Sequence, residues 1–159
     1  MLMEPLFQSQ TEYTFEEFKR YNREILYNVK NVKKTIFMFR IILLILGVVT
    51  RDLTYIFGSL VVPVIFNVTF SFQEKRNYKK NEKLHNMMMY HRFYEDYIEQ
   101  ESKLGTVTIF HYQISDVLET ETNFYLLTAN NGAIMVVKDN CTPEHIEYLV
   151  RFKESKMRM

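Results

Sequence analysis

Four histidines and one cysteine are the side chains of this 159-residue chain best suited to metal or nucleophilic chemistry. His85 and His91 lie six apart, His111 follows later, and Cys141 precedes His145 by four residues. A zinc site needs several such ligands converging, held by a second shell of hydrogen bonds. A cysteine nucleophile needs a base, an orienting group and an oxyanion site. Neither set is complete. There is no second cysteine, hence no CxxC pair, and nothing marks a third member beside Cys141 and His145. The four glycines are scattered, so no phosphate-cradling loop is written in the chain. Catalytic, cofactor and metal residues are therefore expected to be none, and the chain is expected not to be an enzyme.

The charged residues sort by region. Glu95, Asp96, Glu99, Glu101, Glu119 and Glu121 fall in turns or on alternating outward positions. They read as a solvated face, with a cation or basic partner as the alternative. Residues 71–83 carry Lys75, Arg76, Lys79, Lys80 and Lys83 against Glu74 and Glu82, a net of +3, while residues 84–159 carry a net of −4. The basic run is a candidate for lipid-headgroup contacts, at about 1 kcal/mol per cation near an anionic surface. The acidic C-terminal region lacks the basic face that nucleic acid requires, so no nucleic-acid partner is expected. The lone Cys141 excludes an intramolecular disulfide and suits a reducing compartment. The first thirty residues contain acidic side chains and no apolar h-region, so no cleavable signal peptide is expected.

Two apolar runs decide where such a chain resides. Residues 35–50 are broken only by Arg40, and residues 53–70 hold no charge at all. Arg51 and Asp52 alone separate them. A helix crossing the hydrocarbon core needs roughly 20 mostly apolar residues. Both runs are slightly short of that and are expected to span with tilting or local thinning. Lys30, Lys33 and Lys34 precede the pair and Lys75, Arg76, Lys79 and Lys80 follow it, while the turn has no net charge. The positive-inside bias then places both termini in the cytoplasm. Arg40 lies near the cytoplasmic end, where its guanidinium can snorkel to the headgroups. Folding the hairpin about residues 51–52 sets Arg40 near the level of Pro63, with Asn67 a turn nearer the cytoplasm. Arg40 and Asn67 are thus a candidate interhelical polar pair.

The flanking elements follow from periodicity. Thr14-Phe-Glu-Glu17 is a capping box, and Phe15, Phe18, Asn22, Ile25, Leu26 and Val29 recur at helical spacing. An amphipathic helix over 15–31 is expected, with a short strand at Thr11-Glu-Tyr-Thr before it. From Met87 the period becomes two. Strands are expected over 88–94, 97–103, 106–113, 115–120, 123–128 and 133–138, with Asn130-Asn131-Gly132 as a hairpin turn. Thr142-Pro-Glu-His145 opens a last helix with an N-cap, Pro at N1 and an acidic first turn. The fold class is α+β: an N-terminal amphipathic helix, a two-helix transmembrane hairpin, and an antiparallel sheet or partly open barrel capped by one helix. The expected divisions are 1–34, 35–70, a basic linker 71–86, and 87–159.

Taken together, several segments resemble the YcxB-like family of bacterial membrane proteins. They are the threonine-started helix 14–27, the Arg40-bearing first apolar run and the second apolar run. In the C-terminal part they are Phe93-Tyr-Glu-Asp96 with Tyr97-Ile98, Tyr112-Gln-Ile-Ser-Asp-Val117 with Glu119-Thr120, Phe124-Tyr-Leu126, and Ala133-Ile-Met-Val-Val-Lys138. The resemblance covers nearly the whole chain. It implies a pleckstrin-homology-like C-terminal module on the cytoplasmic face of the bacterial inner membrane, and no catalytic residues. The Met87-Met88-Met89 patch departs from the family pattern.

The function expected is that of a membrane-anchored, non-enzymatic module that binds a protein partner at the cytoplasmic membrane. Homo-oligomerisation is compatible with this. Two alternatives are an anionic-lipid sensor working through the basic run, and an accessory subunit of a transporter or channel. In the subunit alternative Gly47, Gly58 and Ser59 allow close helix approach.

Overall fold

The computed structural model describes residues 4–25, 31–82, 85–129 and 132–157. The chain divides into two compact units, residues 15–85 and residues 1–14 with 86–159. Its architecture is α+β, with four α-helices and two antiparallel sheets.

The β unit begins with β1 (Phe7–Tyr13) and resumes with β2 (Met87–Phe93), β3 (Tyr97–Ser102) and β4 (Gly105–Phe110). These form a four-stranded sheet in the order β1-β2-β3-β4. β1 pairs with β2 along its whole length, from Phe7 opposite Phe93 to Tyr13 opposite Met87. The short strand expected at Thr11 is therefore a seven-residue strand that belongs to the C-terminal module. The compact unit that holds residues 86–159 also takes in the chain up to Thr14.

The β3–β4 hairpin turns through Lys103-Leu104. Gly105 follows at φ 131°, a region that L side chains avoid. β4 ends at Phe110, three residues before the expected Gln113. There the Phe110 N–H donates to Gln113 Oε1 at 2.9 Å, and a 3-10 turn over His111–Gln113 redirects the chain.

β5 (Ile114–Glu119), β6 (Asn123–Thr128) and β7 (Ala133–Val137) make the second sheet. The single curved sheet or partly open barrel expected from the sequence is thus two sheets of four and three strands. The Asn130-Asn131 part of the expected turn lies outside the described residues. After a 3-10 turn, α4 (Pro143–Met157) starts as expected. Thr142 Oγ1 accepts from the His145 N–H at 3.3 Å, and Thr142 O accepts from the Ile146 N–H at 3.0 Å. Phe93, Ile98, Ile114, Val117, Phe124, Leu126, Ile134, Val136 and Leu149 form one core drawn from both sheets and α4.

The helical unit contains α1 (Phe15–Glu24), α2 (Val32–Thr50) and α3 (Leu53–Lys80). Leu26 and Val29, which extended the expected first helix, lie outside the described residues. α1 packs on α3, with the Phe15 and Phe18 rings 5.3 and 5.5 Å from Tyr78. α2 and α3 pack along one another and are joined by the expected turn. Arg51 takes a left-handed conformation, and Asp52 caps α3 by accepting from the Thr54 N–H at 2.8 Å. α3 runs ten residues past Phe70, so most of the expected linker is helix. Residues 71–80 contain no Gly or Pro, and Lys79 and Lys80 sit where the helix dipole favours cations.

Among the described residues α3 is the one helix long and apolar enough to cross a membrane, and only 6% of its apolar stretch is buried. Lys33, Lys34 and Arg40 within α2 set it apart from α3.

Candidate functional site

The helical unit brings Arg40 and Asn67 to one cleft of about 300 Å3, lined also by Lys33, Ile36, Phe37 and Pro63. Asn67 Nδ2 donates to Pro63 O of its own helix at 3.0 Å. Arg40 Nε is shielded from solvent and meets no hydrogen-bond partner among the described residues. Lys75, Arg76, Lys79 and Lys80, on the last turns of α3, line an open groove of about 510 Å3 with Phe72 and with Glu82 just beyond the helix. Lys83 lies outside the described residues. The sequence gives no sign of the contact that ties α1 to this end of α3. Arg23 Nε sits 3.6 Å from Glu74 Oε2, and that carboxylate is 2% exposed. Helical spacing puts Arg23 on a polar face and Glu74 in a basic flank, but the pairing depends on a fold between distant residues.

The β unit separates the residues suited to chemistry. Cys141 is half-buried and its Sγ donates to Val137 O at 3.4 Å. Burial pushes the thiol up to about 11, so it holds its proton at neutral pH and is a poor nucleophile. His111 packs on Phe152 at 4.9 Å. Burial and, secondly, Lys156 hold its basicity below the usual imidazole range. His85 belongs to the helical unit, stacked 4.4 Å from Tyr78. Among the described residues no three His, Cys, Asp or Glu side chains come close enough to hold a metal.

His91 and His145 do converge. His91 on β2 and His145 on α4 are both essentially inaccessible, and none of their four ring nitrogens has a hydrogen-bond partner among the described residues. His145 stacks on Phe7 at 5.0 Å and meets the Phe93 edge at 4.5 Å. Ser9 Oγ, on the β1 residue opposite His91, is likewise buried and unbonded. Burial lowers both imidazoles to about 4, and the neighbouring His145 adds to the depression at His91. These are neutral core histidines at physiological pH, and a proton on either would have no counter-charge in its aromatic surroundings. Nothing local in the chain foretells this meeting of strand and helix beyond an apolar context around each residue.

The acidic residues divide between ion pairs and solvent. Arg92 reaches Glu101 at 2.5 Å and Glu99 at 3.6 Å on the first sheet. Glu119 accepts from Lys138 and Lys153, each at 2.9 Å, linking β5 to the turn after β7 and to α4.

The edges of the first sheet differ. β1 is covered: Thr11 Oγ1 donates to Met135 O at 3.0 Å, and Asn140 Nδ2 donates to Gln10 O at 2.8 Å. β4 has no strand beyond it among the described residues, and all its residues except Ile109 are exposed. It carries no charge, no proline and no bulge, the usual protections of a free edge. Leu104, Val107, Phe110 and Tyr112 present apolar surface along it, with Phe110 and Tyr112 stacked at 5.6 Å.

These features define an α+β protein with one helix fit to cross a membrane and an open apolar sheet edge. Compared with known proteins, the chain matches no family model, no curated sequence and no solved structure.

Proposed function

We propose that this chain is a two-pass, non-enzymatic protein of the YcxB-like kind in the bacterial inner membrane. Its β unit is a pleckstrin-homology-like module at the cytoplasmic face, and it takes an extended segment of a protein partner onto β4. The observation that carries the reading is the packed α2–α3 pair with its apolar side chains turned outward. Phe37, Ile45, Val48, Phe57, Val64 and Ile65 are each more than half exposed, a surface that water would penalise heavily and lipid would not. Cations cluster at the α2 start and the α3 end, with a neutral turn between, which supports cytoplasmic termini. Tethering then confines the module to a thin layer and raises its effective concentration for membrane partners.

Strand addition is favoured because an uncharged edge offers backbone hydrogen bonds together with alternating side-chain positions. The test is crosslinking in native membranes followed by mild-detergent capture, with the full chain and its Val107→Lys variant as baits. One dominant partner, lost with Val107→Lys, is expected. A multi-span partner held equally by both baits would overturn the edge contact and favour a transporter or channel subunit. Capture of no protein with either bait would overturn the partner reading and leave lipid sensing.

A further inference from the structure

We infer that the cleft between α2 and α3 is a binding site for the phosphodiester of an anionic glycerophospholipid. The inference rests on the two-pass reading above. Lys33, Ile36, Phe37 and Arg40 follow one another at three- and four-residue steps, so they form a single stripe of α2. Across from them stand Pro63 and Asn67, one turn apart on α3. The two cations are seven residues apart, roughly 10 Å along the helix at about 1.5 Å per residue. That interval is spanned by their long side chains, with Arg40 tilted back toward the helix start where Lys33 lies.

Charge complementarity identifies the occupant. The lining holds two cations and no acid, and Arg40 Nε is shielded without a hydrogen-bond partner among the described residues. A shielded guanidinium nitrogen is costly to leave unbonded, and phosphate oxygens match its donors well. Ile36, Phe37 and Pro63 give the rest of the lining, Asn67 apart, an apolar wall. An acyl chain covers such a wall, whereas free phosphate would leave it wet. A second cleft of about 360 Å3, lined by Val68, Ser71, Phe72 and Lys75, shares Asn67 with the first. A zwitterionic headgroup would bring a third cation into a site that already holds two.

The experiment uses the full chain in a neutral detergent, titrated with fluorescent phosphatidylglycerol. Phosphatidylcholine and inorganic phosphate serve as competitors. Lys33→Gln/Arg40→Gln should weaken binding about 10-fold, the loss of roughly one charge-assisted contact. Lys79→Gln/Lys80→Gln, on the exposed flank, should weaken it less than about twofold. Neither competitor should displace the probe. Equal losses in the two variants would mean diffuse charge attraction and would overturn the site, as would no loss in the first. Displacement by inorganic phosphate would make it a free-anion site. Carbonate extraction of membranes is run in parallel. A chain released by carbonate refutes the two-pass reading itself, whereas a retained chain whose cleft variant still binds refutes only the site. A photoreactive phosphatidylglycerol with the unaltered chain covers a variant that fails to fold. Adducts within 33–40 and 63–67 are expected, and adducts confined elsewhere would overturn the assignment.

Discussion

Acidification should destabilise the β unit through His91 and His145, the two buried imidazoles of its core. Both imidazoles lie near 4 in the folded chain against an ordinary value of 6.5. Between those values the unfolded chain binds more protons than the native one, so stability rises with pH and is lost as pH falls. At pH 5 the linkage amounts to about 2 kcal/mol for each histidine, or about 4 kcal/mol for the pair. That is a large share of the roughly 5–15 kcal/mol that holds a typical domain together. Glu119, lowered chiefly by its bond from Lys138, also loses its contribution in acid, but only as pH falls through its depressed value. The loss in the β unit between about pH 6.5 and 5 therefore belongs chiefly to the two buried histidines; His111, also held below the usual imidazole range, adds to it, while Glu74 of the helical unit, raised by burial, works in the opposite sense.

The assay is denaturant unfolding of the full chain in detergent from about pH 7.5 to 5, followed by β-sheet circular dichroism and tyrosine fluorescence. The chain has 11 tyrosines and no tryptophan to mask them. His145→Phe keeps a ring between Phe7 and Phe93 and removes one titrating group, so it should cut the acid loss to about 2 kcal/mol or slightly less. It also removes the neighbour that depresses His91. A stability that stays flat down to pH 5, or an acid loss unchanged by His145→Phe, would refute the reasoning.

Other expectations are local. A Cβ on Gly47 would sit 2.6 Å from Ile56 Cγ1 and 3.3 Å from Asp52 O, while one on Gly58 meets only Leu43 Cδ1 at 4.0 Å. Gly47→Ala should therefore cost about 1–3 kcal/mol in detergent melting, and Gly58→Ala should be neutral or stabilising by up to about 1 kcal/mol. Arg23→Ala leaves the buried Glu74 carboxylate without its ion pair and should lower stability by about 1–3 kcal/mol, most of it restored by adding Glu74→Gln. Thermal melts of the three chains decide this. Cys141, raised from 9.0 to about 11, should alkylate at pH 8 about 100-fold more slowly in the folded chain than after unfolding. Iodoacetamide labelling with mass detection measures the ratio.

What could be read from the chain was what is encoded locally. The Arg51-Asp52 turn, the Thr142-Pro143 helix start and the strands from 97 to 137 carry their own punctuation or alternation. β1 was nearly invisible because its inward positions, Ser9 and Thr11, are polar like the outward Gln8, Gln10 and Glu12. Its stabilising bonds go to Met135, Asn140 and the distant β2, none of which a local window contains. The end of the apolar run at Phe70 suggested a linker, but a helix stops where its backbone chemistry changes, and residues 71–80 offer no such change. In the site region the sequence set Arg40 near the level of Pro63 with Asn67 a turn away, and one cleft holds all three. The histidine meeting and the Arg23–Glu74 pair needed the tertiary fold.

The pairing of β1 with β2 also fixes an order of events during synthesis. All of residues 14–86 must emerge after β1 before its neighbour exists. At about 5–20 residues per second, that is a wait of roughly 4–15 s. Throughout that interval β1 is a short polar strand with both edges open, while α1, α2 and α3 are made behind it. The module thus completes only once the helices are out of the ribosome. A chain whose helices stall would expose an unfinished sheet to cellular proteases. The topology makes completion of the helices and completion of the sheet a single checkpoint.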